Sequence, residues 1–500
     1  MLDLQPANFE AFVSEARQGN VVPVVRSVLA DLHTPVGAFM RIAGDSPYAF
    51  LLESVEGGER IARYSFLGAE PEMIVRGKGM QTFVERDGKT ESYPTIATEW
   101  VRDYFHARSL ARRPGLVPFA GGAVGYLGYD AAQWFEPALR DDNTQPLDAP
   151  TDAVWMFYRN VIAFDRVKQR LEIVSIVLTE EAGGSPERLR ALYDDAVART
   201  KEIEKKIFET KPLPEPKPPS DSNISLQSNW SRRAFEDGVR QVKEHIAAGD
   251  CYQVVLSQRF SAKFDGDSLQ IYRALRAINP SPYMFFLRMG DETVVGASPE
   301  MLVRCHGQRL DYRPIAGTRK RGATETEDWM LGEDLKSDAK EIAEHMMLVD
   351  LGRNDLGRVS DYGSVKVEDL MRVERYSHVQ HLETSLRSRL RDGLDRFDAL
   401  ASCFPAGTVT GAPKIRAMEI IRGLEPHPRG IYAGSVLYMD YADNLDSCLA
   451  IRTIVLRNGE VMVQAGAGIV ADSVPEHEYA ETVNKARAMF RAIEMAERGL

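Results

Sequence analysis

The feature that most constrains the fold of this chain is an acidic pair, Glu341 and Glu344, within residues 340–355 (KEIAEHMMLVDLGRND). The segment has no Gly or Pro before Gly352, and its apolar residues recur at helical spacing, which predicts a helix. On a helix the two carboxylates share one face, where their like charges repel. The fold must therefore place a metal ion, a basic group or only water opposite this face.

A second acidic pair with the same spacing, Glu478 and Glu481, occurs near the C-terminus in PEHEYAETVNKA, which also predicts a helix. One such pair alone is more often a solvated acidic face. Two such helices facing each other would instead form a cage rich in carboxylate oxygens. Hard cations prefer oxygen ligands, so the two pairs together predict a Mg²⁺ site.

Composition limits the class of protein without naming an activity. The 500 residues contain 44% hydrophobic and 27% charged side chains, which is ordinary for a soluble globular enzyme. The net charge of −11 argues against a nucleic-acid-binding protein. No apolar run is long enough to span a membrane, no signal peptide is visible, and the four cysteines form no CxxC motif. We therefore expect a soluble cytoplasmic protein that binds neither nucleic acid nor a membrane.

The proline-rich residues 210–225 are the clearest linker-like segment. They predict a boundary between an N-terminal region, residues 1–220, and a C-terminal region, residues 221–500. Strand hairpins alternate with long helices, which favours an α+β fold over a doubly wound α/β sheet. One of the helices is predicted to cover about residues 325–352.

Several strings in the C-terminal region suit an anionic ligand. Gly317 and Thr318 lie in the donor-rich string RPIAGTRKRG, and Thr408 precedes a predicted helix. A solvated basic turn and a helix cap are their ordinary alternatives. Glu300 follows a strand and a Ser-Pro turn. The string QAGAGIVADS would let a backbone approach a ligand, although a tight turn is its usual meaning.

Two other residues have unusual positions. Arg452 lies in the apolar, strand-like string CLAIRTIVL, where a buried cation needs the carboxylate of either the protein or a ligand. His381 lies in a predicted strand, where a lone histidine is more often structural than catalytic. No pattern typical of a Ser or Cys nucleophile is present, so the residues indicate Mg²⁺-assisted lyase or transfer chemistry on a small polycarboxylate.

The order of these strings resembles that in the chorismate-utilising enzyme family, and within it the large subunits (component I) of anthranilate synthases. The shared strings include DCYQVVLSQRF, GASPEMLVR, RPIAGTRKRG, KEIAEHMMLVDLGRND, GTVTGAPK and ETVNKA, and the resemblance is dense from about residue 231 to residue 498. It implies a composite α+β fold, with large antiparallel sheets packed face to face and helices outside. It also implies Mg²⁺-dependent conversion of chorismate and ammonia to anthranilate and pyruvate, the first step of tryptophan biosynthesis.

The resemblance implies a role for each candidate residue. Glu344 and Glu481 would ligate Mg²⁺, and Glu300 would be the general acid that protonates the departing hydroxyl of chorismate. His381 and Thr408 would serve the later elimination of pyruvate. The other residues would line the same pocket or hold the substrate: Glu341, Glu478, Gly317, Thr318, Tyr432, Arg452, Gly466, Ala467, Gly468 and Lys485.

Two positions separate activities within the family. Aminodeoxychorismate synthases carry a nucleophilic lysine where this chain has Ala316, and isochorismate and salicylate synthases carry a water-activating lysine where it has Gln253. Neither alanine nor glutamine can take these roles, so the resemblance favours anthranilate synthase. The alternatives are an aminodeoxychorismate synthase component I and a non-catalytic homologue that binds Mg²⁺ or an amino acid.

The resemblance also implies regulation and a partner. Ser54 in the string LLES, with Pro282, Tyr283 and Met284 in NPSPYM, would form a pocket for feedback inhibition by tryptophan between the two halves. From the residues alone, these strings are a strand and a Pro-rich turn. The sequence contains no nucleophilic-cysteine motif of a glutamine amidotransferase. Glutamine-derived ammonia would therefore come from a separate subunit, component II, in a hetero-oligomer.

Overall fold

The computed structural model describes residues 3–54, 63–140, 151–209, 224–376 and 379–500, so most of the predicted linker lies outside the described residues. None of the helices in these ranges is long and apolar enough to cross a membrane. In chain order the α-helices described are α1 Phe9–Ala16, α2 Pro35–Ala43, α3 Ala97–His106, α4 Ala132–Phe135, α5 Pro186–Phe208, α6 Arg232–Ala247, α7 Ser268–Ile278, α8 Glu325–Ser337, α9 Ala339–Gly357, α10 Arg396–Cys403, α11 Lys414–Leu424 and α12 Pro475–Arg498.

The β-strands of the described ranges all belong to one of two antiparallel sheets. In chain order they are β1 Leu4–Gln5, β2 Val21–Leu29, β3 Tyr48–Glu53, β4 Tyr64–Ala69, β5 Met73–Lys78, β6 Gln81–Arg86, β7 Lys89–Tyr93, β8 Gly122–Leu127, β9 Ala153–Tyr158, β10 Asn160–Asp165, β11 Arg170–Leu178, β12 Gln227–Ser228, β13 Gln253–Lys263, β14 Tyr283–Met289, β15 Glu292–Ser298, β16 Met301–His306, β17 Arg309–Tyr312, β18 Ile315–Lys320, β19 Lys366–Arg375, β20 Val379–Arg389, β21 Gly411–Ala412, β22 Ser435–Asp440, β23 Asn444–Leu449, β24 Thr453–Arg457 and β25 Glu460–Ile469.

Each sheet takes one end from the N-terminal region and the other end from the C-terminal region. Sheet A has the order β1-β2-β11-β10-β4-β3-β14-β15-β24-β25-β13-β12, with β21 beside β13. Sheet B has the order β18-β20-β17-β16-β23-β22-β8-β9-β5-β6-β7, with β19 beside β20. The regions join where β3 pairs with β14 and where β8 pairs with β22. The division into residues 1–220 and 221–500 thus describes the order of the chain, whereas in space both regions share both sheets.

The two sheets face each other across the largest buried cluster. Phe50 and Phe285 of sheet A lie in this cluster together with Tyr126 and Trp155 of sheet B, and none is more than 1% exposed. On its other face, sheet A is covered by α2, α7 and α12, whose apolar residues form a second buried cluster with it. This arrangement confirms the predicted α+β fold of face-to-face antiparallel sheets with helices outside.

The first acidic pair begins a new helix. One helix is predicted over about residues 325–352, and this is wrong, because the structure separates α8 from α9 at Asp338. The Asp338 backbone is extended (φ −71°, ψ 109°), and its carboxylate accepts hydrogen bonds from the backbone N–H groups of Lys340 and Glu341 at 3.0 and 3.2 Å. This N-cap satisfies donors that lack a partner within the helix and sets the direction in which α9 presents its carboxylates.

The pairing of β8 with β9 in sheet B predicts that Gly125 of β8 tolerates no side chain. A Cβ atom there would lie 1.8 Å from the Val154 carbonyl oxygen of β9. Overpacking typically costs about 1–3 kcal/mol, and a clash with the main chain should place Gly125→Ala at the upper end of this range or above it. We therefore expect a clearly lower Tm in thermal unfolding.

Gly423→Ala is the matched control, because Gly423 lies in α11 and no atom would lie within 4 Å of an added Cβ. Alanine stabilises a helix by roughly 0.5–1 kcal/mol relative to glycine, so the Tm of this variant should not fall. A wild-type Tm for Gly125→Ala would contradict the packing of β8 against β9.

Candidate active site

The two predicted acidic pairs lie on helices that face the same space. Glu341 and Glu344 are near the start of α9, and Glu478 and Glu481 are near the start of α12. The pKa of Glu344 is raised by burial and then by the negative charges of Glu341 and Glu481, while Lys485 opposes the shift. Charges on one helix therefore act on the other, and the structure brings both pairs together.

A basic side chain pairs with one carboxylate on each of the two helices. The positive group expected opposite the first pair is Arg319, which donates a hydrogen bond to Glu341 at 3.1 Å. On α12, the Lys485 ammonium group lies 2.7 Å from a Glu481 oxygen and donates to the Gly466 carbonyl oxygen at 3.1 Å. The site can therefore hold both a cation and an anionic substrate.

The donor set fits a Mg²⁺ ion that protein and substrate hold jointly. Within the described ranges, no three His, Cys, Asp or Glu side chains form a metal-binding group by themselves. Mg²⁺ is usually bound through only one or two protein carboxylates, and waters and substrate oxygens complete its shell. Glu344 and Glu481, one from each helix, can supply these two carboxylates.

Glu300 is a buried carboxyl group between β15 and β16, and its side chain belongs to a residue only 6% exposed. Burial raises its pKa from the ordinary value of 4.5 to about 8, although Thr408 and the positive charges of Arg452 and Lys485 oppose the shift. Glu300 therefore keeps its proton at neutral pH. A carboxyl group in this state can act as a general acid.

Thr408 and Arg452, both beside Glu300, retain capacity for a ligand. The buried Thr408 hydroxyl interacts with Glu300 and has no other hydrogen-bond partner among the described residues. Arg452 lies between β23 and β24 with φ +49°, so the prediction of a position inside a strand is wrong. Burial lowers the pKa of this guanidinium, and the negative charge of Glu300 opposes the effect. A partly desolvated cation beside a hydroxyl with spare hydrogen-bonding capacity suits an anionic group of a substrate.

His381 is buried on β20, in the predicted strand. Its Nδ1 atom lies 2.8 Å from the Gly317 carbonyl oxygen and 3.1 Å from the Thr318 hydroxyl oxygen. A carbonyl can only accept, so Nδ1 carries the proton and Nε2 keeps its lone pair. Burial lowers the pKa of His381 to about 4, so the ring is neutral at physiological pH. Gly317 has φ +65°, a conformation that favours glycine.

Glycines in β25 let its backbone pass close to two polar side chains. A Cβ atom on Gly466 would lie 2.7 Å from the Tyr432 hydroxyl oxygen, and one on Gly468 would lie 2.4 Å from the Gln253 amide nitrogen. Ala467 lies between them and packs into a buried cluster. Because strand residues alternate between faces, only the backbone of Ala467 can be presented to the side where Tyr432 and Gln253 lie.

A buried ion pair that no sequence pattern predicts joins two parts of the site. The Asp355 carboxylate of α9 lies 3.2 Å from the Lys414 ammonium group at the start of α11, with side chains 3% and 11% exposed. Leu351 of α9 also occupies the space that a Cβ on Gly407 would need. These contacts hold α9 against the segment that carries Thr408. The strings LGRND and GAPK contain the two charges, but only the fold shows that they meet.

A second unpredicted pair, Glu425 and Arg429, supports Tyr432. Arg429 is 3% exposed, and its guanidinium donates to Glu425 at 2.6 Å and to the carbonyl oxygens of Val409 and Val255 at 2.7 Å. The same guanidinium lies 5.5 Å from the centre of the Tyr432 ring. The sequence gives no signal for this pair, because two prolines lie between the two charges and residues 425–429 are not helical.

A separate cavity of about 460 Å³ lies where β3 meets β14. The residues predicted for a regulatory pocket all line it: Ser54, Pro282, Tyr283 and Met284. Charged side chains of both signs line it as well: Glu53, Arg63, Arg304 and Asp446. Apolar walls with charges of both signs suit a zwitterion that carries a hydrophobic side chain, such as an apolar amino acid.

The sequence model of the chorismate binding enzymes matches residues 47–491. The chain therefore belongs to the chorismate-binding enzyme family. Its relatives include anthranilate synthase component 1 from Acetivibrio thermocellus, which is 45% identical over 489 residues that cover 96% of this chain and 97% of that protein. Anthranilate synthase component 1 from Pseudomonas aeruginosa is 44% identical over 503 residues, covering 99% of this chain and 100% of that protein.

Solved structures agree with these relationships. Anthranilate synthase component I from Streptococcus pneumoniae has a TM-score of 0.73 and 35% identity, covering 93% of this chain and 99% of that one. The menaquinone-specific isochorismate synthase from Escherichia coli has a TM-score of 0.69 at 20% identity, covering 95% of both chains, and supports the fold alone. Together, these similarities confirm the predicted resemblance to component I of anthranilate synthases.

Breaking the Asp355–Lys414 pair should destabilise the protein. Removing one partner of a buried ion pair typically costs about 3–5 kcal/mol, so Lys414→Met should lower the Tm clearly at pH 8. Burial already raises the pKa of Asp355, and loss of the lysine raises it further. Below that pKa the carboxyl group is neutral, so the loss of Tm should become smaller as the pH is lowered.

Lys336→Met is the control for this variant. Lys336 pairs with Glu333 at 3.1 Å, but both side chains are exposed, and such pairs are worth about 0–1 kcal/mol. Its Tm should stay close to that of the wild type. Equal Tm values for the two lysine variants would contradict a buried pair at Asp355.

Proposed function

We propose that this chain is component I of an anthranilate synthase and converts chorismate and ammonia to anthranilate and pyruvate with Mg²⁺. The observation that carries the proposal is Glu300, a buried carboxyl group whose pKa is raised to about 8 and which lies beside the Arg452 guanidinium and the Thr408 hydroxyl. Relatives at 44–45% identity over almost the whole chain are anthranilate synthase component 1 proteins, which supports the same reaction here. The reaction would be the first step of tryptophan biosynthesis.

Chorismate carries two carboxylates, and the proposed site would supply a cation for each. The guanidinium of Arg452 would pair with one of these carboxylates. Mg²⁺ would be held by Glu344 and Glu481, and when bound it supplies the positive charge that anchors the other. Thr318, the Tyr432 hydroxyl and the backbone of residues 466–468 would complete the substrate contacts. Loss of one charge-assisted bond, such as that of Arg452, should cost about 1.5–3 kcal/mol.

Proton transfer follows from the states of Glu300 and His381. Glu300 would give its proton to the C4 hydroxyl of chorismate as that group leaves and ammonia adds at C2. General acid catalysis typically contributes about 10²–10⁴-fold to a rate. His381, neutral with a free Nε2, and the Thr408 hydroxyl would then serve the elimination of pyruvate by accepting or orienting a proton.

Two side chains disfavour the related activities. Ala316 in β18 has no amine that could attack the substrate, as the lysine of aminodeoxychorismate synthases does. Gln253, 6% exposed above Gly468, is not a base that could activate water. Ammonia is a stronger nucleophile than water and needs less help from a base. Amination at C2 is therefore the reaction that this set of side chains favours.

The proposal includes a partner and a regulator. Ammonia would be supplied from glutamine by a separate amidotransferase subunit, component II, since the chain has no nucleophilic-cysteine motif of that enzyme. The complex would be a hetero-oligomer in the cytoplasm. Tryptophan would inhibit by binding the cavity between β3 and β14, whose apolar walls and charges of both signs suit an aromatic amino acid.

The activity is tested by incubating the purified chain with chorismate, Mg²⁺ and excess ammonium. We expect fluorescent anthranilate and an equal amount of pyruvate, and no turnover when EDTA replaces Mg²⁺. Detection by chromatography separates 2-aminated from 4-aminated products. A 4-amino product, or no product under these conditions, would refute the proposed activity.

The role of Glu300 is tested through pH dependence. Because its pKa is raised to about 8, the acid is protonated below this pH, and kcat/KM should fall as pH rises through about 8. Glu300→Gln keeps the size of the side chain but removes the acidic proton, so its rate should fall by about 10²–10⁴-fold. Its kcat/KM should no longer depend on pH near 8. If kcat/KM of Glu300→Gln still fell as the pH rises through about 8, that fall would belong to another group.

The regulatory cavity is tested by filling it. Tryptophan should inhibit anthranilate formation, and Ser54→Phe should relieve the inhibition because the larger ring occupies the cavity. Ser92→Phe, at an exposed position of β7, is the control and should remain inhibited. Equal inhibition of both variants by tryptophan would place the regulator elsewhere.

A further inference from the structure

A second cavity, of about 570 Å³, lies on the helix-covered face of sheet A and is lined by three arginines. Arg166 follows β10, and Arg273 and Arg276 lie one turn apart on α7. His33 and Thr34, just before α2, line the same cavity. None of its described lining residues is acidic. The cavity is therefore basic in a chain whose net charge is −11.

One carboxylate, that of Glu53, pairs with two of these three guanidinium groups. Glu53 accepts hydrogen bonds from Arg166 at 2.9 Å and from Arg276 at 2.8 Å. Arg273 instead donates to the neutral amide oxygen of Gln270 at 2.7 Å. The three arginines carry three positive charges and Glu53 carries one negative charge, so two positive charges are not balanced by this carboxylate.

Buried contacts hold two of the arginines in place. The Glu53 side chain is 0% exposed and also accepts a hydrogen bond from the Tyr272 hydroxyl at 2.6 Å. Arg166 donates to the Ser65 hydroxyl at 3.0 Å as well. The side chains of Arg166 and Arg276 nevertheless remain 32% and 35% exposed, so both are ordered by the protein and reachable from solvent. Preorganised guanidinium groups are well suited to bind oxyanions through paired hydrogen bonds.

We propose that this cavity binds a phosphate-bearing small molecule, with Arg273 as the principal anchor and Arg166 and Arg276 as further donors. A phosphate group carries about −1.5 to −2 charges near neutral pH, which matches the two unbalanced cations, whereas a single carboxylate carries only one. Its tetrahedral oxygens can also accept from several guanidinium groups at once.

The position of Glu53 couples this cavity to the one between β3 and β14, because Glu53 lines the latter. A phosphate that shares Arg166 and Arg276 leaves the Glu53 carboxylate less neutralised. Since the proposed regulator, tryptophan, carries an ammonium group, phosphate binding tightens tryptophan binding. This coupling rests on the proposed function and is reciprocal, whereas the anion site does not depend on it.

The site is tested by calorimetric titration of the full chain with inorganic pyrophosphate, phosphate and citrate. The titrations contain no Mg²⁺, tryptophan or chorismate, and KCl keeps the ionic strength constant. We expect saturable binding of pyrophosphate and phosphate, with citrate weaker. Arg273→Gln should weaken pyrophosphate binding about tenfold or more because a charge-assisted bond is lost. Arg273→Lys keeps the positive charge but loses the paired N–H donors of the guanidinium, so its pyrophosphate affinity should lie between those of the wild type and Arg273→Gln.

Arg487→Gln is the matched control. Arg487 on α12 also donates to a neutral amide oxygen three residues earlier, that of Asn484 at 2.7 Å, but lies outside the cavity. Its pyrophosphate affinity should equal that of the wild type. Absence of saturable binding, or equal affinity in the Arg273→Gln and Arg487→Gln variants, would overturn the site, and tighter binding of citrate would overturn its assignment to phosphate.

The coupling is tested by titrating tryptophan with and without saturating pyrophosphate. Tryptophan should bind at least about fivefold more tightly with pyrophosphate in the wild type and in Arg487→Gln. The effect should be lost in Arg273→Gln at the same pyrophosphate concentration. Unchanged tryptophan affinity would overturn the coupling, and a chain that binds pyrophosphate but no tryptophan would contradict the regulatory proposal while supporting the anion site.

Discussion

The structure depends on backbone hydrogen bonds between strands that are far apart in the chain. Pairing of β3 with β14 and of β8 with β22 makes each sheet a product of both regions, so neither sheet is complete without the other half of the chain. The cavity proposed to bind tryptophan lies where β3 pairs with β14. β15 lies beside β14 and leads into Glu300. These two adjacent strands therefore connect the cavity to the candidate active site.

Burial is the physical effect that prepares the candidate site for proton transfer. It raises the pKa of Glu300 to about 8 and lowers that of His381 to about 4, because in both cases the charged form is desolvated. At neutral pH the carboxyl group therefore holds a proton that it can donate, and the imidazole holds a lone pair that can accept one. The same physical effect thus prepares both an acid and a base, and the positive charge of Arg452 acts on both groups.

Local patterns predicted the helices that carry both acidic pairs, the strand of His381 and the α+β class, and the family resemblance predicted the two sheets packed face to face. The local patterns failed at two local breaks in a continuous pattern and at contacts between distant residues. A continuous helical pattern hides the break at Asp338, which depends on one cap, and apolar neighbours suggest a strand for Arg452 where the chain turns with φ +49°. The pair of Asp355 and Lys414 is separated by 59 residues, so only the fold brings its charges together.

We propose that α9 and α12 jointly hold the metal ion on which substrate binding depends. Anomalous diffraction from crystals grown with Mn²⁺ and a non-reacting chorismate analogue tests it directly, since Mn²⁺ takes the same oxygen ligands as Mg²⁺ and can be located without ambiguity. We expect one strong anomalous peak between Glu344 and Glu481, with an analogue carboxylate as a further ligand. A fully bound analogue with no peak between these residues, or with the ion elsewhere, would contradict it.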